Sequence, residues 1–270
     1  MTDAPGGRSL VTAALVLLGF GAAACDINVG GAGLSIGMAS ERATDQWTRS
    51  YDITAGGRFE VVNVNGVVQV EPADGEAVEV HAERIAKAST EAEAKALLSK
   101  TEIAEQVTSD SVTIRTQAPK TWGSSGVEVR YTVKVPSSLR VKAVTTNGGV
   151  KLLRIANDIE AQTTNGGVSG EELGGAVEAS ATNGGIQLDF ARVGGDISAE
   201  TTNGGVSVKV PRDAKVTIAA SVMNGGISMG DLPVEITGQR SRRRVEGNLN
   251  GGGSRVALET TNGGIRLSGR

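Results

Sequence analysis

The stretch Ala143-Val144-Thr145-Thr146-Asn147-Gly148-Gly149-Val150-Lys151-Leu152 is written again, with small changes, as Ala161-Gln162-Thr163-Thr164-Asn165-Gly166-Gly167-Val168-Ser169-Gly170. It returns as Ala199-Glu200-Thr201-Thr202-Asn203-Gly204-Gly205-Val206-Ser207-Val208. Across the C-terminal half Asn-Gly-Gly recurs with Asn147, Asn165, Asn183, Asn203, Asn224 and Asn262, at spacings of 18, 18, 20, 21 and 38, the last close to two turns. Self-similarity at one period marks a stacked repeat architecture. A second glycine pair lies about midway in some repeats, at Gly174-Gly175 and Gly194-Gly195, so each repeat has two corners.

Aligned on the asparagine, the repeats show which face is buried. Six residues before it stand Val141, Ile159, Val177, Ile197, Ile218 and Val256, and four before it Ala143, Ala161, Ala179, Ala199, Ala220 and Leu258. Three residues after it stand Val150, Val168, Ile186, Val206, Ile227 and Ile265; the fifth position holds Leu152, Leu188, Val208, Met229 and Leu267, with Gly170 the exception. Between them stand Lys142, Glu160, Glu178 and Ser198 on one run, and Lys151, Ser169, Gln187, Ser207, Ser228 and Arg266 on the other. Side chains alternate across a strand, so each repeat holds two strands with one buried face apiece. The pattern predicts an all-β fold, a single-stranded right-handed β-solenoid with two strands per rung of about 20 residues. Six corner asparagines would stack and could bond amide to amide along the axis. Asn-Gly is also a hairpin signal, and an antiparallel meander is the competing arrangement.

Outward from the repeats, alternation at Phe59–Val70, Val78–His81, Val112–Arg115 and Val127–Val135 predicts strands. Residues 89–98 carry Ser89 or Thr90 as an N-cap and Glu93 for a capping box, so one short helix is expected, strapped outside. The solenoid domain is accordingly 51–270, with an irregular N-terminal part at 51–139 and the Asn-Gly-Gly repeats at 140–270. Residues 25–50, Gly, Ala and Ser rich and then polar, read as a lipid-anchored tether.

Residues 1–24 read as a signal peptide, with Arg8, an apolar run from Leu10 to Phe20 too short to span a bilayer, and small residues before Cys25. Ala22-Ala23-Ala24-Cys25 resembles the lipobox of bacterial lipoproteins, in which the cysteine is acylated, although that family usually has Leu where Ala22 stands. The other reading is ordinary cleavage that leaves Cys25 as an idle thiol. Both imply export to the cell envelope, the first with attachment to the membrane through the lipid anchor alone. As the only cysteine, Cys25 cannot close a disulfide within one chain.

Composition narrows the function classes. With 27 basic and 30 acidic side chains, no positive field draws in nucleic acid. His81 is the only histidine, which excludes His-based metal clusters and leaves one imidazole on a strand, beside Val80, for acid–base work. No Gly-x-Ser-x-Gly elbow appears, so no catalytic residue, metal or cofactor is expected. Glu160, Glu178, Asp196 and Glu200 could in principle form an acidic wall of the kind that glycan-cleaving solenoids use, but outward charge on strands is the ordinary background. Arg240, Arg242, Arg243 and Arg244 form the most distinctive charge feature. They could clamp an anionic ligand such as a lipid headgroup or an envelope glycan, or simply block edge pairing. Trp47 and Trp122 are too far apart in sequence to announce a sugar platform.

The Thr-Thr-Asn-Gly-Gly-Val/Ile repeats, preceded by Gly57-Arg58-Phe59-Glu60-Val61-Val62-Asn63-Val64-Asn65-Gly66 and Val133-Lys134-Val135-Pro136, resemble a bacterial putative-adhesin family with a domain of unknown function, from about Tyr51 to the C-terminus. The resemblance implies a β-solenoid on an envelope protein, often a lipoprotein, and no established activity. The expected function is a noncatalytic envelope scaffold or adhesin-like binding module, its partner an envelope glycan, lipid or protein. A regulatory component of envelope-stress sensing that acts through a protein partner, and a glycan-active enzyme, are the alternatives.

Overall fold

The computed structural model describes residues 41–121 and 125–270. The signal segment, Cys25, the tether up to residue 40 and Trp122 lie outside the described residues. In chain order the elements are β1 (Glu41–Tyr51), β2 (Arg58–Asn65), β3 (Val68–Pro72), β4 (Val78–Ala88), α1 (Glu91–Ser99), β5 (Glu102–Val107), β6 (Ser111–Gln117) and β7 (Gly126–Val135). Through the repeats run β8 (Arg140–Asn147), β9 (Val150–Leu153), β10 (Ile159–Asn165), β11 (Val168–Leu173), β12 (Val177–Asn183), β13 (Ile186–Phe190), β14 (Ile197–Asn203) and β15 (Val206–Val210). The chain closes with β16 (Val216–Asn224), β17 (Ile227–Ser228), β18 (Glu235–Arg240), β19 (Arg244–Leu249), β20 (Ser254–Asn262) and β21 (Ile265–Gly269).

Two open sheets result. One has ten strands in the order β1-β4-β7-β3-β9-β11-β13-β15-β21-β17, the other eleven in the order β18-β19-β16-β20-β14-β12-β10-β8-β2-β6-β5. Every Asn-Gly-Gly corner carries the chain from the second sheet to the first, so successive strands of one sheet are separated by a pass through the other and pair in parallel. Register follows the repeat: Ile159 lies between Val141 and Val177, Ala161 between Ala143 and Ala179, and Asn165 between Asn147 and Asn183. The solenoid is therefore the architecture, and the antiparallel meander is not. The inward columns at 141, 159, 177, 197, 218 and 256 are all buried, as are their partners across the thin core at 150, 168, 186, 206 and 265. Each such Val or Ile contributes roughly 1.5–3 kcal/mol by leaving water. Helix α1 starts where expected, with the Thr90 side chain accepting from the Glu93 amide, and buries Ala94 and Leu98.

Three expectations need correction. Residues 41–50, assigned to the tether, form strand β1, which pairs along its whole length with β4. The alternation Thr44, Gln46, Thr48 looked like a polar linker because only one side of this edge strand meets the core. Residues 51–139 are less irregular than expected, since β2 and β3 already make a full rung whose Asn65 stacks on Asn147. Finally, the long interval from Asn224 to Asn262 is not two turns. It holds the antiparallel hairpin β18–β19, and the rung β20–β21 inserts between β14–β15 and β16–β17, so Asn262 pairs with both Asn203 and Asn224.

At the corners the need for glycine comes mainly from close approach. A Cβ on Gly166 would lie 2.0 Å from the Gly148 carbonyl oxygen, and one on Gly204 2.1 Å from that of Gly184. Beside these corners runs a column that periodicity alone did not single out. Thr145, Thr163, Thr201 and Thr260 are buried, and their hydroxyls donate to the corner carbonyls of Gly66, Gly148, Gly184 and Gly204 at 2.7–3.1 Å. Ala181 occupies the same column without a hydroxyl. Ala181→Thr should therefore add the missing bond to Gly166 and stabilise the fold by about 0.5–1.5 kcal/mol, read as a raised denaturant midpoint. A lowered midpoint would show that the column is set by packing instead.

Candidate functional site

The corner asparagines form one continuous chain of side-chain amides. Asn147 donates to Asn65 (2.7 Å), Asn165 to Asn147 (2.8 Å), Asn183 to Asn165 (3.0 Å), Asn203 to Asn183 (2.9 Å), Asn262 to Asn203 (2.9 Å) and Asn224 to Asn262 (2.9 Å). At the near end Asn65 donates to the Val127 carbonyl. Every donor points the same way. The ladder is structural, because each amide between its two ends, Asn65 and Asn224, spends one donor and one acceptor on its neighbours. Asn65 joins the six expected corners; its single following glycine, in place of a pair, kept it out of the motif.

Arg240, Arg242, Arg243 and Arg244 lie at the tip of the β18–β19 hairpin, and all four are exposed. The turn is fixed by Ser241, whose Oγ accepts from the Arg243 and Arg244 amides at 3.2 and 3.0 Å. The tip then docks on the outermost rung, where the Val222 and Ile227 amides donate to the Arg243 and Arg242 carbonyls at 2.9 and 3.2 Å. Arg244 pairs with Glu246 at 2.9 Å, whereas Arg240, Arg242 and Arg243 have no acidic partner among the described residues. The backbone thus covers the exposed edge of that rung, while the side chains of Arg240, Arg242 and Arg243 stay in solvent. Strand order puts this tip at the opposite end of the stack from β1.

A groove of about 640 Å³ crosses the outer wall of the eleven-stranded sheet. The small side chains of Ala176, Ser198 and Ala257 leave it open, and Arg58, Arg140, Arg255, Glu160 and Glu178 line it. Three of the four carboxylates noticed in sequence meet here, and two are occupied. Glu160 is held by Lys142 at 2.7 Å and Arg58 at 3.2 Å, and Asp196 accepts from the Arg255 amide at 2.8 Å. Glu178 also faces this groove, and Glu200 lines a smaller neighbouring one.

His81 sits on β4 with its Nδ1 3.2 Å from the Thr48 hydroxyl. Trp47 is covered by Arg49, 4.9 Å from the ring centroid. The two tyrosines belong to the N-terminal end. Burial, then the bond to Glu105 at 2.7 Å, pushes the Tyr51 phenol far above its ordinary range. Burial likewise pushes Tyr131 up to about 12, and its hydroxyl is 2.7 Å from that of Thr116, which donates to Asn63. Both remain neutral donors at physiological pH. No group of three or more His, Cys, Asp or Glu side chains that could hold a metal occurs among the described residues. No helix among them is long and apolar enough to cross a membrane.

Residues 137–268 match the family Toastrack DUF4097, which covers the repeats and not the earlier strands. No curated protein matches the chain. A solved structure of a "putative cell adhesion protein" from Clostridium sporogenes ATCC 15579 is similar at 11% identity and TM-score 0.50, covering 84% of this chain and 100% of that one. A "putative adhesin" from Bacteroides fragilis NCTC 9343, also 11% identical, covers 84% and 97% of the two chains at TM-score 0.35.

Proposed function

We propose that this chain, whose repeat half belongs to the Toastrack DUF4097 family, is a noncatalytic envelope binding module that presents an anion-binding tip at the opposite end of its strand stack from β1. The observation that carries this reading is the placement of the arginine hairpin. The chain enters at β1, at one end of the ten-stranded sheet, and Arg242 and Arg243 bond to the rung of β16 and β17, at the other. Nine strand spacings separate β1 from β17, about 43 Å at ~4.8 Å each. Attachment is through Cys25 and the residues before β1. The description of the Clostridium sporogenes protein as a cell adhesion protein is in keeping with this reading.

Replacing Arg240, Arg242, Arg243 and Arg244 together with Ser should lower recovery of envelope glycan or lipid in a crosslinked pull-down by about tenfold or more, equivalent to ~1.4 kcal/mol. The melting temperature should be almost unchanged, since the side chains are exposed. Undiminished recovery would overturn the assignment of the tip, and recovery of a membrane signalling protein instead would favour a regulatory role.

The anchor is tested separately. Cys25→Ser should move the protein from the detergent-extracted membrane fraction to a soluble one, or leave it unprocessed. Unchanged partitioning with normal processing would rule out lipidation.

A further inference from the structure

We propose that the C-terminal rung is exchangeable, and that two copies of this chain join by trading it. The rung β20–β21 follows β14–β17 in sequence yet lies between them in space. β20 lies between β14 and β16, and β21 between β15 and β17, with parallel pairing on both sides. Everything that forms the slot precedes it in the chain. Until residues 254–269 arrive, the slot presents strand edges whose amides and carbonyls need a parallel neighbour.

The rung's contacts do not depend on which copy supplies it. Val256, Leu258, Ile265 and Leu267 fill the slot and are no more than 2% exposed. Asn262 completes the amide ladder between Asn203 and Asn224, and Thr260 donates to Gly204. The Arg255 amide donates to Asp196. Each partner lies before residue 250, so the same segment from a second copy would restore every one of these contacts.

The link between the slot and its occupant has the features of a hinge. Asn250, Gly251 and Gly252 have φ of +52°, +84° and +82°, three consecutive left-handed residues. They cross the start of β16, where Asn250 donates to the Arg212 and Ala214 carbonyls. Opening this turn into an extended strand relieves the left-handed asparagine and carries β20 away from its own body. A short link gives a chain's own rung a high effective concentration, so exchange wins when folding bodies are crowded. Reciprocal exchange closes as a two-fold dimer.

Two variants test this, both in a Cys25→Ser background: Ser198→Cys on β14 and Ala257→Cys on β20, which are register partners. The full-length variants are unfolded, mixed, refolded at high protein concentration and treated with a short bismaleimide. Exchange predicts a cross-linked species at twice the chain mass in the mixture, well above that from either variant alone. The double variant Ser198→Cys/Ala257→Cys, refolded dilute, should cross-link within one chain. Only uncross-linked monomer from the mixture at every concentration, with normal cross-linking in the double variant, would overturn the proposal. Gly251→Pro, which cannot adopt the native φ, should shift the refolded population toward dimer; an unchanged population would overturn the hinge.

Discussion

Excising residues 184–193 should abolish the cooperative unfolding transition, whereas excising 184–203, twice as many residues, should leave a folded protein one rung shorter. The longer cut joins Asn183 to Gly204 and keeps an Asn-Gly-Gly-Val corner. β12 then runs into β15, pairs with β10 and β20, and Asn183 takes the place of Asn203 in the ladder, shortening the stack by about 4.8 Å. The shorter cut removes β13 with Ile186, Leu188 and Phe190, and leaves only Gly194, Gly195 and Asp196 between β12 and β14. Those strands are parallel neighbours, Val177 beside Ile197, so the chain would have to return about 20 Å from Asn183 to Ile197. Three intervening residues span at most about 14 Å. Circular dichroism melting and gel filtration check both. Equal damage from the two cuts would mean that the rung is not the folding unit.

Gly204→Val is expected to cost about 3 kcal/mol or more, because its Cβ would stand 2.1 Å from a backbone oxygen and 2.5 Å from the carbonyl carbon of Gly184. Neither can move without parting two rungs, which are bonded at that corner from Gly184 N to Asn203 O, or disturbing the next bond, from Gly204 N to Asn262 O, on the rung β20–β21. Gly205→Val meets only the Gly264 oxygen, at 3.3 Å, and should be the milder of the two by at least about 1 kcal/mol. Ser207→Thr, on the outer wall, should stay within about 0.5 kcal/mol. A sequence reading treats the two glycines alike. Chemical denaturation of the three variants gives the order, and equal losses at 204 and 205 would contradict the stacking.

Architecture was legible because a repeat states the same burial decision many times: Val141, Ile159, Val177 and Ile197 occupy one column in the alignment and one column in space. The amide ladder followed from the asparagines by the same logic. The threading of β20–β21 was not legible, since periodicity reports which residues are equivalent and is silent on the order in which equivalents stack. The buried threonines were hidden for a different reason. Alternation puts Thr145 on the inward face with Ala143 and Thr146 outside, but nothing in the sequence announces the Gly66 carbonyl that takes up the buried hydroxyl. Grouping at the site was hidden too: Arg58, Arg140 and Arg255 are far apart in the chain and reach one groove because each stands seven residues before a corner asparagine.

The one-way amide ladder gives the shaft an electrical polarity. Each amide carries a dipole of roughly 3.5 D if taken as comparable to a peptide unit, and units donating in one sense add instead of cancelling. Donors point toward Asn65, so that end, beside the first rung, is the positive pole. The negative pole falls at Asn224, whose rung is the one covered by the Arg242 and Arg243 carbonyls. Cations at the negative end of an aligned dipole array are stabilised there, as they are at a helix C-terminus. Arg242 and Arg243 therefore stand on the rung that carries the negative pole, the end of the ladder where positive charge is favoured.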